Sequence, residues 1–169
     1  MAQNIEVKFY TESLEETERL ADKIGASYQA ELTQTDTYYK TPTGRLKLRQ
    51  FPGNLSQLIY YERPDFAGSR LSEYEVLEIA NTEKFLRIAS KIFQTEVTVK
   101  KIRKLYIFGS TRIHLDQVEG LGNFIELETV LEPDIPLEAS REEHEYLLDS
   151  LGLTEKTTAP QSYRELALK

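Results

Sequence analysis

The chain has 169 residues, 40% of them apolar, with a formal net charge of −7. That composition can bury one core, and the acidic balance speaks against nucleic-acid binding through a basic surface, so any cationic site has to be local. The absence of cysteine excludes disulfides, thiolate metal ligands and thiol nucleophiles.

No apolar run approaches the roughly 20 residues that a membrane-spanning helix needs, and the first residues lack the basic and then apolar pattern of a secretory signal. A cytoplasmic protein with no membrane partner is the expectation. Nothing in the composition excludes a homodimer.

The first predicted element is a strand over 5–10, "IEVKFY". A helix follows from Ser13, with Glu16 completing a capping box, Leu14, Thr17, Leu20, Ala21 and Ile24 at helical spacing, and Gly25 as terminator. Strands are predicted over 35–41, 44–51, 56–64 and 70–80, then an amphipathic helix from Asn81 or Thr82 to Phe93. Further strands over 96–108, 111–119 and 122–132 lead to a loop marked by Pro133 and Pro136. The last predicted helix starts at Ser140, with Glu143 as its capping-box partner, and ends near Leu151. These elements predict an α+β fold in one domain over 1–169. The order strand, helix, three strands occurs twice, without a residue-level repeat.

Successive side chains of a strand face opposite ways, so position parity sorts each strand into two faces. Ile5, Val7 and Phe9 oppose Glu6 and Lys8; Leu46 and Leu48 oppose Arg45, Lys47 and Arg49. Ile113 and Leu115 oppose Arg112, His114 and Asp116, while Ile125 and Leu127 oppose Phe124, Glu126 and Glu128. Alternation of this kind also describes the wet face of an open antiparallel sheet.

Two features point elsewhere. The charges are sorted by strand, cationic on 45–49 and anionic on 126–128, whereas a solubilising face mixes signs. The charged face also collects Lys8, Arg45, Lys47, Arg49, Arg63, Lys101, Arg103, Arg112 and Arg164 against only Glu6, Asp116, Glu126 and Glu128. If the strands close into a barrel, for which about eight suffice, this face becomes an interior whose surplus charge calls for an anionic ligand. A polyphosphate fits the cationic side, and a divalent metal fits the carboxylates.

The segments "NIEVKFY", "QTDTYYKTPTGRLKLRQ", "LIYYERPD", "VKKIRKLY", "TRIHLDQVEGLGNFIELE" and "SYREL" together resemble the CYTH superfamily, the triphosphate tunnel metalloenzymes that include class IV adenylyl cyclases and thiamine triphosphatases. The resemblance implies an eight-stranded antiparallel closed barrel with flanking helices, binding a triphosphate together with Mg2+ or Mn2+. By position it implies phosphate binding by Lys8, Arg45, Lys47, Arg49, Arg63, Lys101, Arg103, Arg112 and Arg164. It implies metal binding by Glu6, Asp116, Glu126 and Glu128, and a catalytic role for Lys8, Arg63, Glu126 and Glu128. One departure stands out: where the family opens E-x-E-x-K, this chain has Asn4, Glu6 and Lys8, so an amide oxygen replaces the first carboxylate.

Other signals carry less. His114 shares the charged face but reads as a hydrogen-bonded barrel residue, and His144 in "HEYLL" lacks the second histidine of a zinc-protease helix and reads as helical surface. Gly120 to Gly122 reads as a turn between strands. The implied reaction is the cyclase type, converting ATP to cyclic AMP and pyrophosphate. The alternatives are a triphosphatase acting on inorganic triphosphate or thiamine triphosphate, and a module that binds a triphosphate or nucleotide without turnover.

Overall fold

The computed structural model describes residues 1–53 and 55–169. In chain order the elements are β1 (Ala2–Thr11), α1 (Glu15–Lys23), β2 (Ser27–Tyr39), β3 (Arg45–Gln50), β4 (Ser56–Glu62), β5 (Arg70–Ile79), α2 (Thr82–Ile92), β6 (Thr95–Phe108), β7 (Thr111–Val118), β8 (Gly122–Val130), α3 (Leu137–Ser150) and α4 (Tyr163–Ala167). The eight strands close into an antiparallel barrel in the order β1-β5-β4-β3-β2-β6-β7-β8. No described helix is long and apolar enough to cross a membrane.

The ring order is unchanged when β1–β4 are exchanged with β5–β8. β1 pairs with β5 and β2 with β6, and the β1–β8 contact is matched by β5–β4. The twofold order of elements read in the sequence is therefore a twofold topology.

Apolar faces point outward and are covered by helices. Val7, Phe9, Ile113, Leu115, Ile125 and Leu127 pack beneath Ala21 of α1 and Leu147 of α3. On the other side Leu48 of β3 meets Ala89 of α2, with Phe85 and Phe93 packed alongside. Burying each such side chain contributes about 1.5–3 kcal/mol, so the helices hold the barrel from outside and leave its lumen to polar residues.

Several local expectations need correction. β2 begins at Ser27 rather than Thr35; Tyr28, Ala30 and Leu32 alternate with polar residues, but residues 27–33 are largely exposed and the strand is held there by pairing with β6. Ser13 does not cap α1. The N-cap is Leu14 without a side-chain bond, and Ser13 Oγ accepts only from the Glu15 N–H at 3.3 Å.

The Ser140–Glu143 capping box does not form either, since α3 starts earlier, after Pro136, and Ser140 is buried within it. Glu143 instead accepts from Thr111 Oγ1 at 2.6 Å and the Ser110 N–H at 3.0 Å, tying α3 to the β6–β7 turn. His144 lies on the same helical face as buried Ser140, Leu147 and Leu151, so its ring turns inward, to 2% exposure, where it bonds Thr129 Oγ1 and Ser69 Oγ. A fourth helix, α4, went unread. It carries the capping box that does form, between Ser162 and Glu165. α2 starts at Thr82, within the predicted bounds, and Asn81 caps it by accepting from the Lys84 N–H at 2.9 Å.

Candidate active site: the charged tunnel

Closure of the barrel turns the charged parity of each strand inward. A cavity of about 210 Å³ runs into the lumen, lined by Lys8, Lys47, Arg49, Arg63, Lys101, Arg103 and Arg112, by Glu6, Glu126 and Glu128, and by neutral side chains including Asn4. One end is plugged by the C-terminal segment. Tyr163 packs with Tyr38, Val99, Val118 and Phe124.

Two arginine–carboxylate pairs stand at equivalent places in the two halves, with the charges exchanged. Asp36 on β2 faces Arg49 on β3, and Arg103 on β6 faces Asp116 on β7. Asp36 is fully buried and gathers three cations: Arg49 binds both its oxygens at 2.8 Å, and Lys47 and Lys101 each reach Oδ2 at 3.0 Å. Burial opposes its charge, but Arg49, Lys101 and Lys47 outweigh that and hold its carboxyl well below the usual range.

The same burial, with Arg49 beside it, pulls Lys47 down to about 8. Burial pulls Lys101 to about 7, with Asp36 opposing and Arg49 adding. Three cations on one carboxylate leave a local surplus of positive charge at the cavity wall.

Arg103 binds Asp116 through two 2.6 Å bonds and Glu126 at 3.0 Å. Tyr163 also donates to Asp116 at 2.6 Å. Asp116 does not line the cavity, and its oxygens are taken by Arg103 and Tyr163, so it anchors those two side chains and stands outside the group of ligand atoms within 4.8 Å of one another. Lys8 lies 3.4 Å from Glu126 and 3.9 Å from the Tyr163 ring centre.

Glu6 meets Arg63 at 2.9 Å and Arg70 at 3.4 Å. Burial, reinforced by Glu126 and Glu128, pushes Glu6 up to about 7 against the pull of Arg63. Arg112 sits 3.2 Å from Glu128 at the open end.

Arg45 and Arg164 leave the lumen. Arg45 bonds Asp65 at 2.6 Å and Glu165 at 2.9 Å, while Arg164 pairs with Glu96 and Glu165. Both line a separate external cavity beside the plugged end. With Asp36, Asp116 and Arg70 included, eight cations meet five carboxylates, a smaller surplus than the sequence expectation of nine against four.

The metal-ligating geometry lies at Glu126, Glu128 and His114, whose ligand atoms fall within 4.8 Å of one another. His114 is a hydrogen-bonded barrel residue, as read, through a 3.4 Å contact with Glu126, but it also belongs to this cluster. Burial and then Arg103 lower its pKa, leaving a neutral imidazole with a free lone pair. Burial opposes the charge on Glu126, yet Lys8, His114 and Arg103 keep it ionised. Asn4 Oδ1 is buried without a hydrogen-bond partner and faces the same cavity. Two carboxylates and an imidazole form a donor set able to hold a divalent cation, with an orphaned amide oxygen facing the same cavity.

Sequence reasoning missed Asp36, Arg70 and the cluster role of His114. Asp36 was legible by parity, since "QTDTYY" places Gln34, Asp36 and Tyr38 on one face; its partners were not, because they come from β3 and β6.

The model of the CYTH domain matches residues 2–163. The chain belongs to the CYTH domain family. A Methanocaldococcus jannaschii protein provisionally named an adenylate cyclase is 27% identical over 172 aligned positions, covering 96% of this chain and 97% of that relative. Among solved structures, the PH1012 protein of Pyrococcus horikoshii is 26% identical with a TM-score of 0.82, covering 96% of this chain and 98% of its own.

A Hippeastrum protein, named for adenylyl cyclase and described as having a dominant triphosphatase activity, shares the CYTH fold at TM-score 0.68 and 17% identity, covering 98% of this chain and 94% of its own. The closed barrel matches the tunnel fold of the family, and its charged lumen is this chain's version of the CYTH tunnel.

Proposed function

We propose that the protein is a metal-dependent enzyme acting on a triphosphate inside the tunnel, with ATP as substrate and cyclic AMP and pyrophosphate as products. The observation that carries this reading is the convergence of seven cations and a carboxylate pair with an adjacent imidazole in one enclosed lumen. The family membership and the cyclase name of the Methanocaldococcus relative support the choice of reaction.

Arg49, Lys47 and Lys101 bind the phosphate chain, and charge-assisted bonds of this kind contribute roughly 1.5–3 kcal/mol each. They neutralise the charge that grows along the phosphate chain as the bond from the α-phosphorus to the leaving oxygen breaks. Asp36 keeps the three cations aimed before the substrate arrives, and Asp116 does the same for Arg103. Lys8, between Glu126 and the Tyr163 ring, and Arg63, on Glu6, add positive charge beside the carboxylates and complete the catalytic group.

Glu126, Glu128 and His114, with Asn4 Oδ1 nearby, would hold Mg2+ or Mn2+. When bound, such an ion lowers the pKa of the attacking ribose hydroxyl and polarises the phosphoryl oxygens. The walls exclude bulk water, which strengthens every charge interaction inside.

Incubation of the purified protein with magnesium or manganese and, separately, ATP, inorganic triphosphate and thiamine triphosphate, followed by chromatography, tests this reading. Cyclic AMP and pyrophosphate from ATP are expected. Orthophosphate without cyclic nucleotide would replace the cyclase with a triphosphatase, and tight binding without product would leave a binding module.

A further inference from the structure

The tunnel wall is not uniformly charged. On β4 and β5 its inward positions toward the open mouth are Gln57, Ile59, Ser72, Tyr74 and Val76, all neutral, with Tyr61, Arg63 and Arg70 nearer the plugged end, whereas the strands on either side present Lys47 and Arg49 or Glu6 and Lys8. Val76 lines the cavity while 42% exposed, which puts this wall at the open mouth, away from the end that Tyr163 plugs.

In register, Gln57 stands beside Arg49 and Ile59 beside Lys47. Adjacent strands are about 4.8 Å apart. A phosphate chain on Lys47 and Arg49 therefore sets whatever group it carries against Gln57, Ile59 and Val76.

A bare polyphosphate gains nothing from apolar Ile59 and Val76. The side chains of Gln57 and Ser72 have no hydrogen-bond partner among the described residues, and Arg112 donates to the Tyr74 hydroxyl at 3.3 Å, leaving that hydroxyl's own proton available. The wall thus combines an apolar surface for a ring face with an amide and two hydroxyls for a ring edge. Arg49 and Arg112 flank it and disfavour a cationic ring.

We infer that the β4–β5 wall at the tunnel mouth binds the neutral heterocyclic base of a nucleoside triphosphate, with Gln57 pairing to its edge and Ile59 and Val76 packing on its face. This rests on the triphosphate reading above and makes these residues, none of them charged, the determinants of substrate choice.

Titration calorimetry in magnesium, with the α,β-methylene analogue of ATP, inorganic triphosphate and thiamine triphosphate as probes, tests it on the wild type and on Gln57→Ala and Val76→Ser. Melting curves establish that the variants fold, as the partial exposure of both side chains leads one to expect. The wild type is expected to bind the nucleotide analogue more tightly than inorganic triphosphate. Each variant is expected to weaken the analogue about three- to tenfold, the worth of one hydrogen bond or apolar contact, with inorganic triphosphate unchanged.

Equal loss of both ligands, or variants that alter neither, would overturn the assignment while leaving the triphosphate site standing. An equal dependence of thiamine triphosphate on Gln57 would overturn the choice of a neutral base. Failure of the wild type to bind any of the three would defeat the triphosphate reading itself, and this inference with it.

Discussion

Replacing Asp36 with asparagine removes one negative charge at the point where three cations meet. Its oxygens lie 2.8 Å from Arg49 and 3.0 Å from Lys47 and Lys101, and the residue is fully buried. Removing one partner of a buried ion pair costs about 3–5 kcal/mol, because the other charge remains desolvated. Lys101, already near 7, then loses its main attraction and becomes neutral at pH 7, which limits the cost to the lower part of that range.

For a chain of this length each kcal/mol lowers Tm by about 2–4 °C, so the variant is expected to melt roughly 6–15 °C below wild type. Because a triphosphate brings the missing negative charge to Arg49 and Lys47 and draws a proton back onto Lys101, it is expected to raise the Tm of the variant more than that of the wild type. Calorimetric melting with and without inorganic triphosphate measures both effects. An unchanged Tm, or equal stabilisation of the two proteins, would refute the claim that Asp36 stands in for the ligand's charge.

Three more outcomes follow from the same geometry. Triphosphate binding is expected to take up protons, because the incoming anion raises Lys101 from about 7 and Lys47 from about 8; affinity then falls as pH climbs through those values, and titration calorimetry in buffers of different ionisation enthalpy reads the uptake. Burial holds His144 at about 4 against an ordinary 6.5, so the unfolded chain binds the extra proton, and stability is full above 6.5 and is lost as pH falls toward 4. This is worth roughly 3 kcal/mol, seen as the difference in acid sensitivity between wild type and His144→Gln in denaturant titrations at pH 7 and 4.5. Magnesium at a hundredfold excess over its Kd is expected to stabilise the wild type by about 2.7 kcal/mol; Glu126→Gln with Glu128→Gln is expected to abolish that shift with the barrel still folded, as circular dichroism would show.

Strand parity made the interior readable before the barrel was known. Glu6 and Lys8, Lys47 and Arg49, and Glu126 and Glu128 each alternate with aliphatic neighbours, and only one face of each strand can meet a helix. Parity does not say which strands adjoin. The β2–β6 contact that brings Lys101 to Asp36 joins segments far apart in sequence and carries register shifts near Tyr28 and Tyr38.

Asp36 therefore looked like one polar residue among threonines, although it organises the cationic group. Asp116 looked like a free carboxylate because its bonds to Arg103 and Tyr163 are long-range. His144 was misread although its spacing to Leu147 and Leu151 places it on the buried face of α3; its partners Thr129 and Ser69 lie far away in sequence and were not legible. Arg45 and Arg164 share the right strand face or segment, yet Asp65, Glu96 and Glu165 hold them outside the lumen, and neither the loop after β4 nor α4 showed a pattern that foretold it.

The most direct measurement is a crystal structure of the protein with manganese and a slowly reacting ATP analogue, read by anomalous difference density. The account predicts a manganese peak bonded to Glu126 and Glu128, with the phosphate chain against Lys47, Arg49, Lys101 and Arg103 inside the barrel. A metal or triphosphate found only on the outer surface, with the Asp36 cluster undisturbed, would contradict it.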